Sequence, residues 1–463
     1  MALGSKLYLL IVSFFILSLA QAQTNDDSLF IKKISDEILQ NGQAYANLRD
    51  LCKSIGHRLS GSVGMYKAED WGIKTLKNSG ADNAYKQPCM VPHWVRGGAA
   101  IAKFSSKKRS KNPEFSVAAL GNSLSTKSGG IIAKIIEIKN YEELNKRKDE
   151  VRGKIVFYNY PYNKKMFGGA YGDAVRYRGG GASAAAKYGA LAVLVRSVTA
   201  ANDDNPHTGA LIYNDSFPKI PALAISTKDA EALSGFLKGN YKEDNFYLKS
   251  NAAMLPDTIA HNIIGEIIGT EFPNEIITIG GHLDSWDLGE GAHDDGTGII
   301  QSIEVLRVLK SLGYKPKRTI RIVLFANEEN GLRGGTKYME EAKAKGETHL
   351  MAMESDGGGE TPKGFTCGMT DEQFSKVTTW KKLFTLLDAD KFSFSKGGGG
   401  GADIGPLQTA FKTAQFGFTT VGNRYFDYHH ASTDVFENVH ERELHLGAVV
   451  MATMVYLVDK YGL

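Results

Sequence analysis

From about residue 255 onward, strand and helix patterns alternate strictly. Ile276 to His282 reads as a buried strand, Gly296 to Leu312 as a helix, and Thr319 to Ala326 as a second strand. Leu332 to Ala344 follows as a helix and His349 to Glu354 as a third strand. Parallel strands cannot be joined by hairpins, so each helix must cross over a face of the sheet. The pattern therefore predicts an α/β fold, a mixed, mostly parallel sheet sandwiched by helices. In such sheets ligands gather beyond the carboxyl ends of the strands, so the residues at which each strand stops carry the most information.

Each of the three strands stops at metal-type side chains: Gly281-His282-Leu283-Asp284, Asn327-Glu328-Glu329-Asn330 and Glu354-Ser355-Asp356-Gly357. Gly291-Ala292-His293-Asp294-Asp295-Gly296 puts a carboxylate pair at the mouth of the first helix, and Tyr428-His429-His430-Ala431-Ser432-Thr433-Asp434 supplies imidazoles before the last one. Taken singly, an acidic pair is a solvated turn and a histidine a structural group. Together, at one end of one sheet, they are hard to explain structurally, because converging carboxylates repel unless a cation sits among them. Imidazole and carboxylate without thiolate suit zinc or a similar borderline divalent ion.

The rest of the chain bounds the partners. Its 463 residues suffice for two or three domains, and its 55 Lys+Arg against 51 Asp+Glu leave a net charge of only +4. The densest basic run, Lys107-Lys108-Arg109 with Lys111, lies among Ser and Asn and reads as a solvated loop, so no nucleic-acid partner is expected. Lys6, the apolar stretch Leu7 to Ala20 and the Ala20-Gln21-Ala22 end form a signal-peptide pattern over residues 1–22, cleaved after about Ala22. The stretch is shorter than the roughly 20 residues that span a bilayer, so no stable membrane span and a secreted or periplasmic location are expected. Cys52, Cys89 and Cys367 allow one disulfide at most. Helical patterns cover Ser28 to Leu59 and residues 66 to 79, and residues 113–250 look self-contained. That segment has β-rich stretches at Ile131 to Ile138 and Lys154 to Tyr160, a Gly/Ala-rich helix from Gly179 to Tyr188, and strands at Leu191 to Arg196 and Pro221 to Ser226. Gly397 to Gly401 reads as a flexible loop.

Gly56-His57-Arg58-Leu59-Ser60-Gly61-Ser62, Pro92-His93-Trp94, Arg152-Gly153-Lys154-Ile155-Val156, Gly281 to Asp287 and Met353-Glu354-Ser355-Asp356 together resemble the co-catalytic dizinc peptidases, the family of bacterial aminopeptidases and glutamate carboxypeptidases. The resemblance covers nearly the whole chain after the leader and implies a zinc-exopeptidase fold. The catalytic domain would then be 23–112 plus 251–463, with a protease-associated domain inserted at 113–250. It implies two Zn²⁺ per chain: His282 and Asp356 on one ion, Glu329 and His430 on the other, and Asp294 bridging, with an Asp294–Asp295 peptide that is cis in relatives. Glu328 would be the general base toward a water made acidic by the ions. Asp284 would orient His282 through its imidazole N–H. The expected substrate is a small peptide, dipeptides in particular, and a homodimer is implied by the resemblance alone. Where some relatives carry a tyrosine just before the last ligand, this chain has His429, so resemblance assigns no oxyanion donor there.

The end of the peptide that is cut stays open. A free amine wants an acidic rim, for which Asp287, Glu290 and Asp403 are candidates; a free carboxylate wants a cation, for which Arg424, Lys396 and Arg333 are candidates. Two other classes share the scaffold, a non-catalytic binding protein and a single-zinc glutaminyl cyclase. The complete ligand set tells against both. In the inserted segment His207 alone stands out, and His57, His93, His293, His440 and His445 read as structural or surface groups.

Overall fold

The computed structural model describes residues 26–166, 169–387 and 392–463; the expected leader, 1–22, lies outside the described residues. An eight-stranded sheet forms the centre, in the order Asn83–Val95, Ala253–Ile267, Arg318–Phe325, Phe272–His282, Thr348–Glu354, Ala414–Thr420, Pro362–Gly368, Ser393–Lys396. The four strands from Arg318–Phe325 to Ala414–Thr420 are mutually parallel, and the adjoining strands Ala253–Ile267 and Pro362–Gly368 run antiparallel to them on either side. The reason is visible in the sequence: Ile276 to Ile279 and Ile320 to Phe325 are unbroken runs buried on both faces, as parallel strands require. The Thr297–Ser311 helix is buried nearly all round, between this sheet and the Glu441–Tyr461 helix.

Differences from the sequence pattern are local. The helix expected over Ser28 to Leu59 is interrupted at residues 42–43 and ends in a wide turn at Leu51–Ile55. The Ile131 to Ile138 stretch splits into Ile131–Ala133 and Ile135–Ile138, which join different sheets. Residues 101–249 carry two sheets of their own. One is antiparallel and four-stranded and begins with Ile101–Ser105, ahead of residue 113 where the pattern placed the boundary. The other has five strands, Val117–Ala119, Ala222–Ile225, Ala192–Arg196, Ile155–Tyr158 and Ile135–Ile138. Phe104, Phe115, Phe157, Leu194 and Phe246 belong to the apolar cluster shared by the two sheets, and the Ala170–Ala186 helix lies against the other face of the five-stranded one. The three cysteines are buried and free. No helix among the described residues is long and apolar enough to cross a membrane.

Two devices hold the loop between the His282 strand and the turn that carries Asp294. Leu59, Trp94, Ala119 and Trp286 form a small apolar cluster, with the two indoles edge to face at 5.9 Å. Beside it the fully buried Arg58 guanidinium donates to the carbonyls of Leu283, Glu290 and Gly291 at 2.5, 2.7 and 2.9 Å. Replacing it strands three buried acceptors. Arg58→Ala is expected to lower unfolding free energy by about 3 to 5 kcal/mol in urea titrations. A loss below about 1 kcal/mol would mean the loop is anchored elsewhere.

Candidate metal centre

His282 ends the central strand, and Gly281 before it admits Asp295: a Cβ at Gly281 would lie 2.0 Å from Asp295 Oδ2. The carboxylate of Asp295 accepts the backbone N–H groups of His282 at 3.1 Å and Gly298 at 3.0 Å, tying strand to helix. Asp294 and Asp295 are joined by a cis peptide. The preceding turn is fixed by Asp434, whose carboxylate accepts from His293 N at 2.7 Å and Asp294 N at 3.2 Å.

These supports bring the five candidate ligands together. Asp294 lies between the two histidines: Oδ1 is 3.1 Å from His282 Nε2 and Oδ2 is 3.1 Å from His430 Nε2. Asp356 Oδ1 is 3.6 Å from His282 Nε2, and Glu329 Oε2 is 3.1 Å from His430 Nε2. The pattern matches a pair of sites sharing Asp294. Despite the short distances, neither Asp294 Oδ2 nor Asp356 Oδ1 receives a hydrogen bond of acceptable geometry, although both are buried. Oxygens in that state are what a cation would satisfy, and the nitrogen and oxygen donor set fits zinc.

The electrostatics agree. Against the burial that would lower it, Asp294 and Asp356 push the His282 imidazole well above its usual range. His430 rises to about 10 in the same way, against burial, through Glu329 and Asp294. Burial and then the Asp294 charge raise Glu329 to about 7. The pocket is thus strongly selective for positive charge.

Around this core some sequence expectations change. His282 Nδ1 donates to the backbone carbonyl of Asp284 at 2.9 Å, while the Asp284 carboxylate stays 3.9 Å away. That carboxylate accepts instead from Glu328 N at 3.0 Å and from the Ser60 hydroxyl at 3.4 Å, so Asp284 positions the chain at Glu328 rather than the ring of His282. Glu328 lines the cleft, and burial together with the charges of Asp356, Glu329 and Asp294 drives its carboxyl well above the ordinary range. His429, adjacent to a candidate ligand, stacks on His430 at 3.5 Å, with Nε2 3.6 Å from Asp294 Oδ2. Gly397 to Gly401 is more than a loose loop: Gly401 sits so close to Glu354 that a Cβ would lie 2.1 Å from its carboxyl carbon, and Ile404 N donates to Glu354 at 3.0 Å.

A cleft of about 770 Å³ opens over the site, walled on one side by Tyr171, Val175, Arg178 and Ile212 of the inserted segment and on the other by Leu332, Tyr425 and Phe426. Asn122, Asn327, Leu332 and His430 all have φ near +60°. Such strain in non-glycine residues concentrates at functional sites. The inserted segment also grips the ligand loop: His207 Nδ1 donates to the His429 carbonyl at 2.7 Å, and Thr208 N donates to the His430 carbonyl at 2.9 Å. The rim candidates do not reach the cleft as free charges. Arg96 pairs with Asp287 at 2.5 and 2.8 Å, Lys53 pairs with Glu290 at 2.7 Å, and Asp403 is buried. Lys396 pairs with Asp371, Arg333 begins an outer helix, and Arg424 faces a different cavity.

Two arginines absent from the sequence-derived candidates line the cleft, Arg176, which pairs with Asp173 at 3.0 Å, and Arg178. Arg178 is buried, donates to the Tyr171 hydroxyl at 2.8 Å and the Thr208 carbonyl at 3.3 Å, and lies 3.2 Å from His430 Nδ1. Its Nε has no partner, and no carboxylate among the described residues stands within 4 Å of it. Its one sequence signal is an arginine set directly before Gly179-Gly180-Gly181 in a small-residue helix.

Comparison with known proteins agrees with this geometry. The profile of Peptidase family M28 matches residues 262–455. Over 417 residues the chain is 34% identical to carboxypeptidase Q of Mus musculus and to that of Homo sapiens, spanning 90% of this chain and 85% of each relative. A peptidase M28 precursor from Shewanella amazonensis superposes with a TM-score of 0.88 at 31% identity, over 94% of this chain and 97% of that one. A zinc aminopeptidase from Bacillus subtilis shares the fold, with a TM-score of 0.65 at 22% identity over 90% of this chain and 95% of that one. With this likeness running through the whole described catalytic frame, the chain belongs to peptidase family M28 and is a metallo-exopeptidase similar to carboxypeptidase Q.

Proposed function

We propose that the chain is an extracytoplasmic dizinc exopeptidase that hydrolyses small peptides, dipeptides in particular, and releases their C-terminal amino acid. The observation that carries the choice of end is Arg178, a buried guanidinium without a carboxylate partner that lines the cleft beside His430. A substrate carboxylate there would complete an ion pair where desolvation makes it matter. Of the acids weighed for a free amine, Asp287 and Glu290 are already paired, and Asp403, though without a partner, is buried and does not line the cleft. The extracytoplasmic reading rests on the leader pattern of residues 1–22.

In this reading His282 and Asp356 would hold one zinc ion and Glu329 and His430 the other, with Asp294 shared, and the bound ions would supply Lewis acidity for the scissile carbonyl and for water near neutral pH. Glu328, which lines the cleft, takes the proton of the attacking water and returns it to the leaving amine. Asp284 keeps Glu328 in place through the 3.0 Å bond to its backbone. Burial, and then the charges of Asp294 and Asp356, keep the Tyr425 phenol protonated, so its hydroxyl is available to the developing oxyanion. Residues 101–249, read as the protease-associated domain, contribute Arg178 and one wall of the cleft.

Glu328→Gln is expected to keep zinc content unchanged while kcat falls about 10²- to 10⁴-fold; full activity would remove Glu328 from the reaction. Asp294→Asn should lose bound zinc and thermal stability together, because the shared ligand charge disappears. Two ions per chain in that variant, measured by atomic absorption, would rule out a bridge. Arg178→Ala should raise KM for an N-acetylated dipeptide about tenfold or more, and amidating the C-terminus should block cleavage of the wild type. If N-acetylation blocks cleavage and amidation does not, the enzyme is an aminopeptidase.

A further inference from the structure

On the far side of the ligand loop from the cleft lies a second cavity, of about 470 Å³, lined by Arg424, Tyr428, His293 and Glu360 with Val421 and Val439. Its charges are unpaired. Arg424 is exposed, with its guanidinium 5.0 Å from the centre of the Tyr428 ring and no carboxylate within 4 Å among the described residues. Glu360 uses one oxygen to accept from Arg424 N at 3.1 Å, whereas Oε2 is buried and unpartnered. The Tyr428 hydroxyl, on a residue 6% exposed, is also unpartnered. The other acids of this cavity are engaged, Glu437 with Lys53 and Glu443 with the Thr361 hydroxyl. One cation and one anion therefore face a common space without neutralising each other, next to an unused hydroxyl and two valines. Buried polar atoms such as Glu360 Oε2 and the Tyr428 hydroxyl need a partner, and a polar ligand in this cavity can supply one.

We propose that this cavity binds a free α-amino acid, its carboxylate on Arg424, its ammonium on Glu360 and its side chain against Val421 and Val439. The proposal rests on the dipeptidase reading, in which free amino acids are the products, and makes the cavity a site of product feedback. A route to the metal centre is built in. Tyr428 stacks on His293 at 5.1 Å with the planes 7° apart; His293 precedes Asp294, and Tyr428 stands two residues before His430. An occupant pressing on Arg424 and Tyr428 bears on the segments carrying both of those candidate ligands. It can change turnover only through its differential affinity for two arrangements of them.

The test uses the zinc-loaded full chain, Ala-Ala as substrate and L-leucine as the added amino acid. L-leucine is expected to lower kcat as well as raise KM, the second effect being ordinary competition in the cleft. Arg424→Ala and Glu360→Gln should each shift the concentration for half of the kcat effect upward about tenfold or more, with kcat/KM in its absence within about twofold of wild type. N-acetyl-leucine and leucinamide, each lacking one charge, should leave kcat unchanged. If L-leucine changes only KM, or both variants keep the full response, or the blocked analogues act equally well, the proposal is overturned. Calorimetry separates this outcome from failure of the peptidase reading. Should Ala-Ala resist cleavage, leucine binding that Arg424→Ala abolishes still supports the site, and binding indifferent to that change ends it.

Discussion

Repulsion among buried carboxylates is the constraint around which this molecule is organised. Asp294, Asp295 and Glu329, all buried, and the half-buried Asp356 approach one another at the end of a single sheet, in surroundings that leave little water to screen them. Positive charge must enter that volume, and the surrounding chain is built to keep the acids in place until it does. Asp434 fixes the backbone of the turn that bears Asp294, Asp295 staples strand to helix, and Arg58 secures the loop between them from below. The positive φ angles of Asn327 and His430 belong to the same economy: local conformational cost is accepted where a side chain must be aimed.

Much of this was legible in the sequence for a physical reason. Parallel strands buried on both faces have to be continuous apolar runs, so Ile276 to His282 and Thr319 to Phe325 announce themselves, and the side chains at which they stop become conspicuous. His282, Asp294, Glu329, Asp356 and His430 are accordingly the residues that the structure draws together. What stayed hidden depends on pairings between distant segments. Asp287 looks like a free rim acid until Arg96, 191 positions away, is found bonded to it. Asp284 has the spacing of a histidine partner, but the chain turns so that its carbonyl meets the ring and its carboxylate meets Glu328. Arg178 is marked only by the three glycines that follow it, because its place beside His430 arises from a contact 252 positions away. The glycine run at 397–401 misleads in another way: small residues permitted close packing on Glu354 where composition alone spoke of looseness.

The cleft belongs to neither part of the chain alone. Its acids and imidazoles come from the large sheet, and its guanidinium groups and half of its apolar wall come from residues 101–249. The two parts of the chain thus meet at the cleft, and contacts of Arg178, His207 and Thr208 with His429 and His430 join them there.

The hydrogen bonds from the His207 ring and the Thr208 backbone to the carbonyls of His429 and His430 carry this division one step further. A chain pared down to the large sheet and its helices would retain every donor atom of the centre and still lack the brace that sets the last imidazole. The placing of the last candidate ligand is therefore a property of the whole assembly, and the inserted piece is less a lid than a keystone.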